Sequence, residues 1–263
     1  MIQKQEIISF YNGIKSSEKS KLKSPKEKYS IEAAIKLAYG DAKRTMTGIT
    51  EFKEEKETAF KNLAQKFADY FNSKVPSDKD AFDTVHTELC EIWCKAFSKA
   101  SPTYIGAYGK AQKIVNMTFK YLYCCEDACD FEKYFAFCHV PLDSFTIEWF
   151  IRECEKRQVS IKKGYIASWS SIQVCGDKKT QIYNFNNKTY YTYFYYQKRF
   201  REWFLESGKN LLEAEFENWP KIQKHLAAEA FYFAYKDITD SKEKNKFKEK
   251  PLEEKINLIK SAL

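Results

Sequence analysis

The amino-acid sequence predicts a mainly α-helical fold, with two helical lobes in one compact domain that spans residues 1–263. Apolar residues recur at intervals of three and four over much of the first hundred residues, which is the period of an amphipathic helix. Residues that cap or end helices flank these stretches. Glycine and asparagine interrupt the pattern mainly between residues 158 and 187, so we expect a small β-hairpin near 165–187.

Residues 1–100 are predicted to form a helical scaffold. A short apolar helix at Ile7–Tyr11 precedes a charged linker that ends near residue 28. Three amphipathic helices are predicted after it, at 31–40, 52–71 and 81–100. Gly40 is expected to end the first of these helices, and Ser77 or Asp78 is expected to cap the third.

Residues 101–150 are predicted to hold a glycine hairpin, a helix with two lysines, and a short Pro-x-Asp segment. The hairpin contains Gly106 and Gly109, and the helix after it reaches Tyr123. A further helix is expected to begin at Asp143, because an aspartate after such a segment is a common N-cap.

Residues 151–263 are predicted to form an aromatic-rich helical lobe and a tail. The predicted helices lie at 188–206, 211–219 and 222–235, with Pro220 between the last two, and a final amphipathic piece at 252–263 follows a lysine-rich stretch from Ser241. Tyrosines surround more than one face of the 188–206 helix, so part of their ring surface should meet another lobe or a ligand. Whether the aromatic-rich region 155–205 binds DNA or a partner chain stays open.

The composition favours a polyanionic partner. The net charge is +8 and the isoelectric point is near 8.8, although a lysine-rich proteome gives the same excess without any function. The sequence shows no signal peptide and no apolar run of 18 residues. We therefore expect a cytoplasmic monomer whose eight cysteines are reduced.

Five residues of types that bind metals lie close together in the sequence: Cys124, Cys125, Cys129, Cys138 and His139. They contain no C-x2-C pair, and their spacing differs from that of a zinc ribbon or a four-cysteine iron–sulfur loop. We therefore expect buried thiols, no metal site and no cofactor.

The glycine hairpin is a candidate anion-binding element. Glycines at 106 and 109 can turn backbone N–H groups outward just before a helix begins, a geometry that suits a phosphate. Lys110 and Gln112 follow directly. These four residues are our candidates for contact with a DNA backbone.

Two lysines on the following helix are candidate reactive groups. Lys113 and Lys120 are seven residues apart, close to two full turns, so both project from one face. Lysines on the polar face of an amphipathic helix usually do no more than keep it soluble. A lysine desolvated beside an anion-binding turn, however, can lose its proton near neutral pH and become an amine nucleophile toward a sugar carbon.

Asp143 also has two compatible interpretations. As the N-cap of a helix it would stabilise the fold by about 1 kcal/mol. As a carboxylate held ionised by the helix dipole, it could stabilise an oxocarbenium ion or assist a proton transfer.

These residues resemble a known family. The stretch from Gly106 through Lys113 to Val115, followed by His139-Val140-Pro141-Leu142-Asp143, is similar to the hairpin, lysine and Pro-x-Asp arrangement of helix-hairpin-helix DNA glycosylases. It looks closest to the archaeal-type 8-oxoguanine DNA glycosylase branch and its bacterial relatives. The resemblance implies that Lys113 is the Schiff-base nucleophile, that Asp143 is the catalytic carboxylate and that Lys120 lies in the base pocket. It covers about forty residues, from Tyr104 to Asp143.

The sequence departs from that pattern in two ways. Its glycines are spaced Gly-x-x-Gly where the family has Gly-x-Gly, and Lys110 competes with Lys113 for the catalytic position. Glu215 and Trp219, four residues apart on a predicted helix, could give an extruded base a hydrogen bond and a stacking platform, although Trp219 could equally pack beside Pro220. Trp93 is a further stacking candidate, on an apolar helix face.

The resemblance makes a DNA N-glycosylase with AP lyase activity the leading hypothesis, acting on double-stranded DNA that contains a modified base such as 8-oxoguanine. A hypermodified phage base, excised in host defence, is the second choice of substrate. A helix-hairpin-helix module that binds DNA without chemistry is the alternative from another class. A defence nuclease would need a histidine or paired-acid site, and His86, His139 and His225 show no such grouping in the sequence.

Overall fold

The fold was analysed in a computed structural model, which describes residues 31–46, 48–98, 106–124, 133–174 and 178–262. The predicted helix at Ile7–Tyr11, the charged linker after it and residues 99–105 lie outside these residues. Within them the protein is mainly helical, with one antiparallel pair of strands, so the predicted fold class is confirmed at that level. The helix-hairpin-helix element stays a prediction, because part of the hairpin falls outside the described residues.

The first three helices confirm the predicted scaffold. They are α1 (Ile31–Ala42), α2 (Lys53–Asn72) and α3 (Lys79–Ala96). Asp78 caps α3, since its Oδ1 accepts a hydrogen bond of 2.8 Å from the backbone N–H of Ala81. Gly40 does not end α1, which continues for two more residues. The scaffold core includes Trp93, whose ring lies among those of Tyr39, Phe60 and Phe97.

Helix α4 (Tyr108–Tyr123) is enclosed by the rest of the protein. All sixteen of its residues are buried, including its three lysines. It packs against α1, against α3 and against a single 3-10 turn at Trp169–Ser171. The lysine side of this helix is therefore not a polar face exposed to solvent, because other elements cover that side as well.

After α5 (Ser144–Lys156) comes the least helical part of the chain, as predicted, and it contains a β-hairpin. Strands β1 (Ile182–Phe185) and β2 (Lys188–Tyr191) pair in antiparallel register. The two turn residues, Asn186 and Asn187, both have positive φ (48° and 58°), as a type I′ turn requires. The hairpin thus lies further along the chain than the predicted 165–187.

The predicted helix at 188–206 is shorter than expected, because its first residues form β2. Helix α6 (Tyr193–Phe200) begins after Thr192, whose hydroxyl accepts from the backbone N–H of Tyr195. It continues into a π-helical turn at Arg201–Leu205. Such wide turns are frequent at functional sites.

Pro220 does not separate two helices, contrary to prediction. Helix α7 (Leu211–Tyr235) runs through it, although a proline inside a helix lacks the N–H and costs about 3 kcal/mol. The helix buries four apolar side chains before the proline, at Leu211, Leu212, Ala214 and Phe216, and one after it, at Ile222. The lysine-rich stretch after it is also helical, as α8 (Ser241–Lys248), and α9 (Leu252–Ala262) confirms the final amphipathic piece.

The chain divides into two compact units, Met1–Glu215 and Phe216–Leu263, whereas the sequence predicts one. In the second unit, Lys255 is fully buried and its Nζ lies 2.6 Å from Glu229. The aromatic rings of Tyr232 and Phe247 stack there with centroids 4.0 Å apart. Among the described residues, no helix combines the length and the apolar character needed to cross a membrane.

Candidate active site

Lys113 and Asp143 form an ion pair. The Nζ atom of Lys113 lies 2.7 Å from Oδ2 of Asp143, across thirty residues of sequence. Their side chains keep 9% and 13% of their surface exposed, so the pair lies at the edge of the protein interior. Of the two lysines proposed as nucleophile from the sequence, Lys113 therefore has a direct contact with the Pro-x-Asp carboxylate.

The two carboxylate oxygens of Asp143 have separate partners. Oδ1 accepts from the backbone N–H of Thr146 at 2.8 Å, and the Thr146 hydroxyl accepts in return from the N–H of Asp143, which completes a capping box at the start of α5. Oδ2 accepts the hydrogen bond from Lys113. Burial alone would raise the pKa of Asp143, but the Lys113 charge and these hydrogen bonds outweigh it and lower that pKa below its usual value. Asp143 is thus both a cap and an ionised carboxylate.

Two buried glutamines hold the extended segment that leads to Asp143. Gln112 donates from Nε2 to the carbonyl of Leu142 (2.9 Å), and its Oε1 accepts from the N–H of the same residue (3.1 Å). Gln197 makes the same two-point contact with Val140, at 2.9 and 3.0 Å. The amides take the place of a neighbouring strand, because they satisfy alternate backbone groups of this segment. Gln112, predicted to contact DNA, is therefore fully buried and holds the segment instead.

Gly109 marks a close backbone approach. A Cβ at this position would lie 2.1 Å from the carbonyl oxygen of Trp169, and the Gly109 N–H donates to the carbonyl of Ile172 at 2.9 Å. Its φ is not positive. The predicted role in phosphate binding relied on φ freedom and an outward N–H, whereas the structure uses this glycine for packing and this N–H for a backbone hydrogen bond. Gly106 forms a buried turn just before α4.

Lys110 is also buried, so it does not present its charge to a DNA backbone in this conformation. Desolvation lowers its pKa from 10.5 to about 8. A lysine with such a pKa is partly a neutral amine in mildly alkaline solution. Lys110 therefore remains a chemically competent alternative to Lys113.

Lys120 and Glu215 meet in the interior. The Nζ atom lies 2.7 and 2.9 Å from the two carboxylate oxygens, and both side chains are buried. Both residues are predicted to lie in one base pocket, although 95 residues separate them. The structure brings them together as an ion pair.

The two tryptophans assigned to base stacking lie in different surroundings. Trp93 is fully buried in the scaffold core, and three aromatic side chains contact its ring. That position is explained by packing, and we leave Trp93 out of the candidate site. Trp219 lies in the second compact unit and is partly exposed.

A cluster of buried polar groups includes His139, just before the Pro-x-Asp segment, and the sequence does not predict this cluster. Arg201 donates to both oxygens of Asp83 at 2.6 and 3.0 Å, and His139 Nε2 lies 2.7 Å from the same carboxylate. Burial, with repulsion from Arg201, lowers the pKa of His139 to about 4. No local sequence pattern predicts these contacts, because Asp83 and Arg201 are 118 residues apart.

His86 joins this cluster, so the statement that the histidines show no grouping is wrong. Its ring centroid lies 4.4 Å from that of His139, and burial lowers its pKa well below the usual value. Asn116 of α4 links the cluster to the lysine helix through His86 (2.9 Å) and Tyr193 (2.8 Å). Both histidines are buried and neutral at pH 7, which suits a structural network better than an exposed general base.

A cleft of about 820 Å³ opens beside this cluster in the first unit. Asp83, Arg201 and Phe194 line it together with lysines and acidic residues in similar number. Its lining therefore has no strong charge of either sign. Within the described residues, no group of three potential metal ligands comes together.

Comparison with known proteins gives no assignment, since no family model, no curated protein and no solved structure matches this chain. The functional argument therefore depends on the residues themselves.

Proposed function

We propose that this protein is a DNA N-glycosylase with AP lyase activity, which excises a modified base and forms a Schiff base through Lys113. The observation that carries the proposal is the 2.7 Å contact between Lys113 and Asp143. It joins the two residues to which the resemblance gives the roles of nucleophile and catalytic carboxylate. Helix α4 and the glutamine-held segment fix both groups, as a catalytic pair requires.

The proposed reaction begins with a proton transfer from the Lys113 ammonium to Oδ2 of Asp143. The neutral amine attacks C1′ of the sugar, the N-glycosidic bond breaks, and its electron pair leaves with the base. Asp143 then returns its proton to the departing base. Because this proton moves to the base as the bond breaks, the carboxylate is ionised while positive charge develops on the sugar.

The lyase step follows from the same adduct. The C1′–O4′ bond breaks, O4′ takes one proton from the lysine nitrogen, and a protonated imine between Lys113 and C1′ remains. The ionised Asp143 carboxylate then takes a proton from C2′, and β-elimination expels the 3′-phosphate. Hydrolysis of the imine regenerates the lysine.

The substrate must be turned out of the duplex, because Lys113 and Asp143 are largely enclosed. We propose 8-oxoguanine as the base, with a hypermodified base of phage DNA as the second choice. The buried Lys120–Glu215 pair is the proposed polar element of the base pocket.

Borohydride trapping tests the proposal. Duplexes that contain 8-oxoguanine, or glucosylated hydroxymethylcytosine, are incubated with the full chain and sodium borohydride, which reduces the imine to a stable amine. We expect a covalent adduct with the wild type and with Lys110→Gln, and none with Lys113→Gln. Thermal unfolding of each variant checks that it is folded. The absence of an adduct with both substrates, or an unchanged adduct with Lys113→Gln, would refute the mechanism.

A further inference from the structure

The β-hairpin exposes an aromatic face to solvent. In the register of β1 and β2, Phe185 lies opposite Lys188 and Tyr183 lies opposite Tyr190, and directly paired residues share one face of the sheet. Phe185 keeps 52% of its surface exposed, next to the turn. The rings of Tyr183 and Tyr190 lie with centroids 5.5 Å apart on the same face. Three aromatic side chains and one lysine thus form a strip along one face of the hairpin, half-buried at Tyr183 and Tyr190 and exposed at Phe185 and Lys188 next to the turn.

The chain around this strip is strongly basic. Residues 158–192 contain five lysines and one aspartate, a net charge of +4, which is half of the +8 of the full chain. Lys162, Lys179 and Lys188 are exposed. An aromatic strip in a basic region is the combination that binds nucleic-acid strands, because bases stack on the rings while lysines contact phosphates.

The hairpin is attached to the segment that covers the start of the lysine helix. The N–H of Tyr193, just after β2, donates to the carbonyl of Gln173 at 3.0 Å. The neighbouring Ile172 accepts from Gly109 in the first turn of α4. Lys113 follows one turn later. The hairpin is therefore connected, through residues 172 and 173, to the first turn of α4, one turn before Lys113.

We propose that the face formed by Tyr183, Phe185, Lys188 and Tyr190 binds the DNA strand beside the extruded nucleotide, with Phe185 stacked on a base and Lys188 at a phosphate. This proposal rests on the proposed function, because it takes DNA as the partner. It assigns a role to the aromatic-rich region, which the sequence left open between DNA and a partner chain. An aromatic side chain of this kind fills or opens the base stack when a nucleotide leaves it.

The test is an equilibrium binding measurement with the full chain. The probe is a duplex with a tetrahydrofuran abasic-site analogue, which cannot form an imine, and with 2-aminopurine as the neighbouring base. Fluorescence anisotropy gives the affinity, and 2-aminopurine emission reports stacking. The variants are Phe185→Ala and Lys188→Gln, with Ile182→Ala as the matched control, because Ile182 is 45% exposed on the opposite face of the same hairpin.

We expect Phe185→Ala to lower the affinity by about 5- to 150-fold, the range for loss of one base–aromatic stack, and to abolish the change in 2-aminopurine emission. Lys188→Gln should reduce the slope of log affinity against log salt by about 0.9. Ile182→Ala should bind as the wild type does. Equal affinities for Phe185→Ala and Ile182→Ala, or no binding of the duplex by the wild type, would overturn the proposal.

The outcome is separable from that of the trapping experiment. If Phe185→Ala forms the adduct as well as the wild type does and binds DNA with the same affinity, the glycosylase proposal stands. The proposal that the hairpin contacts DNA is then refuted. If DNA binding depends on Phe185 but the wild type forms no adduct, the hairpin is supported as a DNA-binding face. The proposed glycosylase reaction is then refuted.

Discussion

The carbonyl oxygen of Trp169 lies 2.1 Å from the point that a Cβ atom on Gly109 would occupy. The 3-10 turn at Trp169–Ser171 therefore sits directly on the first turn of α4, and only glycine permits that approach. The position of α4, and with it that of Lys113, depends on this contact.

Gly109→Ala should destabilise the protein by about 3 kcal/mol, because the clash is with backbone atoms, which cannot move aside as a side chain can. Gly40→Ala is the control, since a Cβ there meets nothing within 4 Å and alanine is the better helix former. That change should stabilise α1 by about 0.5–1 kcal/mol. Urea unfolding measures both. A Gly109→Ala protein as stable as the wild type would contradict the packing described.

Gln112→Leu should weaken excision more than Gln197→Leu does. Gln197→Leu removes two buried hydrogen bonds to the backbone and should cost about 2–3 kcal/mol of stability. Gln112→Leu removes the two to Leu142, one to Gly109 and one from Asn116, so it should cost more. Gln112, however, holds the residue next to Asp143, whereas Gln197 holds Val140. Single-turnover excision and urea unfolding, measured on both variants, separate the loss of position from the loss of stability. Equal losses of activity would mean that Gln112 acts only through stability.

Asp143→Asn should keep the helix cap and slow excision by about 10²- to 10³-fold. Asparagine caps a helix as well as aspartate does, so Oδ1 keeps an equivalent partner in Thr146. It cannot take a proton from Lys113 or oppose a developing positive charge, which accounts for the expected loss. Asp143→Ala, which removes the cap as well, should lose about 1 kcal/mol of stability in addition. Excision by Asp143→Asn at the wild-type rate would show that the carboxylate acts only as a cap.

Lys110 should make the stability rise with pH in alkaline solution. Its pKa falls from 10.5 to about 8 on folding, so between these values the unfolded chain binds more protons than the folded protein. Unfolding therefore becomes less favourable as the pH increases through this window. The free energy of unfolding of the wild type, relative to Lys110→Met, should increase from pH 8 to 10. A difference that does not change with pH would show that the amine keeps its ordinary pKa.

Lys120→Met should be strongly destabilising, by about 3–5 kcal/mol, because it leaves the carboxylate of Glu215 buried without its cation. The double variant Lys120→Met/Glu215→Leu should recover most of that loss, since an apolar pair replaces the ion pair. If the pair also lies in the base pocket, this folded double variant should lose discrimination between modified and normal guanine. Excision assays on both substrates decide between a purely structural pair and a pocket.

The local features of this fold were predictable from the sequence. The helical period placed α1, α2 and α3, and the capping roles of Asp78 and Asp143 followed from residue type and position. Pro220 was misleading, because buried side chains on both sides of it outweigh the cost of a proline within α7. β2 was missed because its run of tyrosines continues without interruption into α6.

Within the candidate site, a contact between distant residues was predictable only where the resemblance to glycosylases gave both residues a role. That resemblance paired Lys113 with Asp143 and placed Lys120 in the base pocket, whereas Glu215 was assigned to that pocket from its spacing to Trp219 on a predicted helix. The glutamine contacts, the approach at Gly109 and the cluster of His139, Asp83 and Arg201 join residues that are 30 to 118 positions apart. Periodicity and spacing describe neighbours along the chain, so they carry no information about such contacts.

The enclosure of α4 has a consequence for how the protein opens. Its backbone amides are shielded from water on every side, so they can exchange their hydrogens only when the surrounding unit unfolds. Motions that admit an extruded base must therefore occur around this helix, in the loops and in the hairpin, while α4 itself stays in place. The proposed nucleophile is carried by a helix whose residues are all buried, and the substrate has to be brought to it.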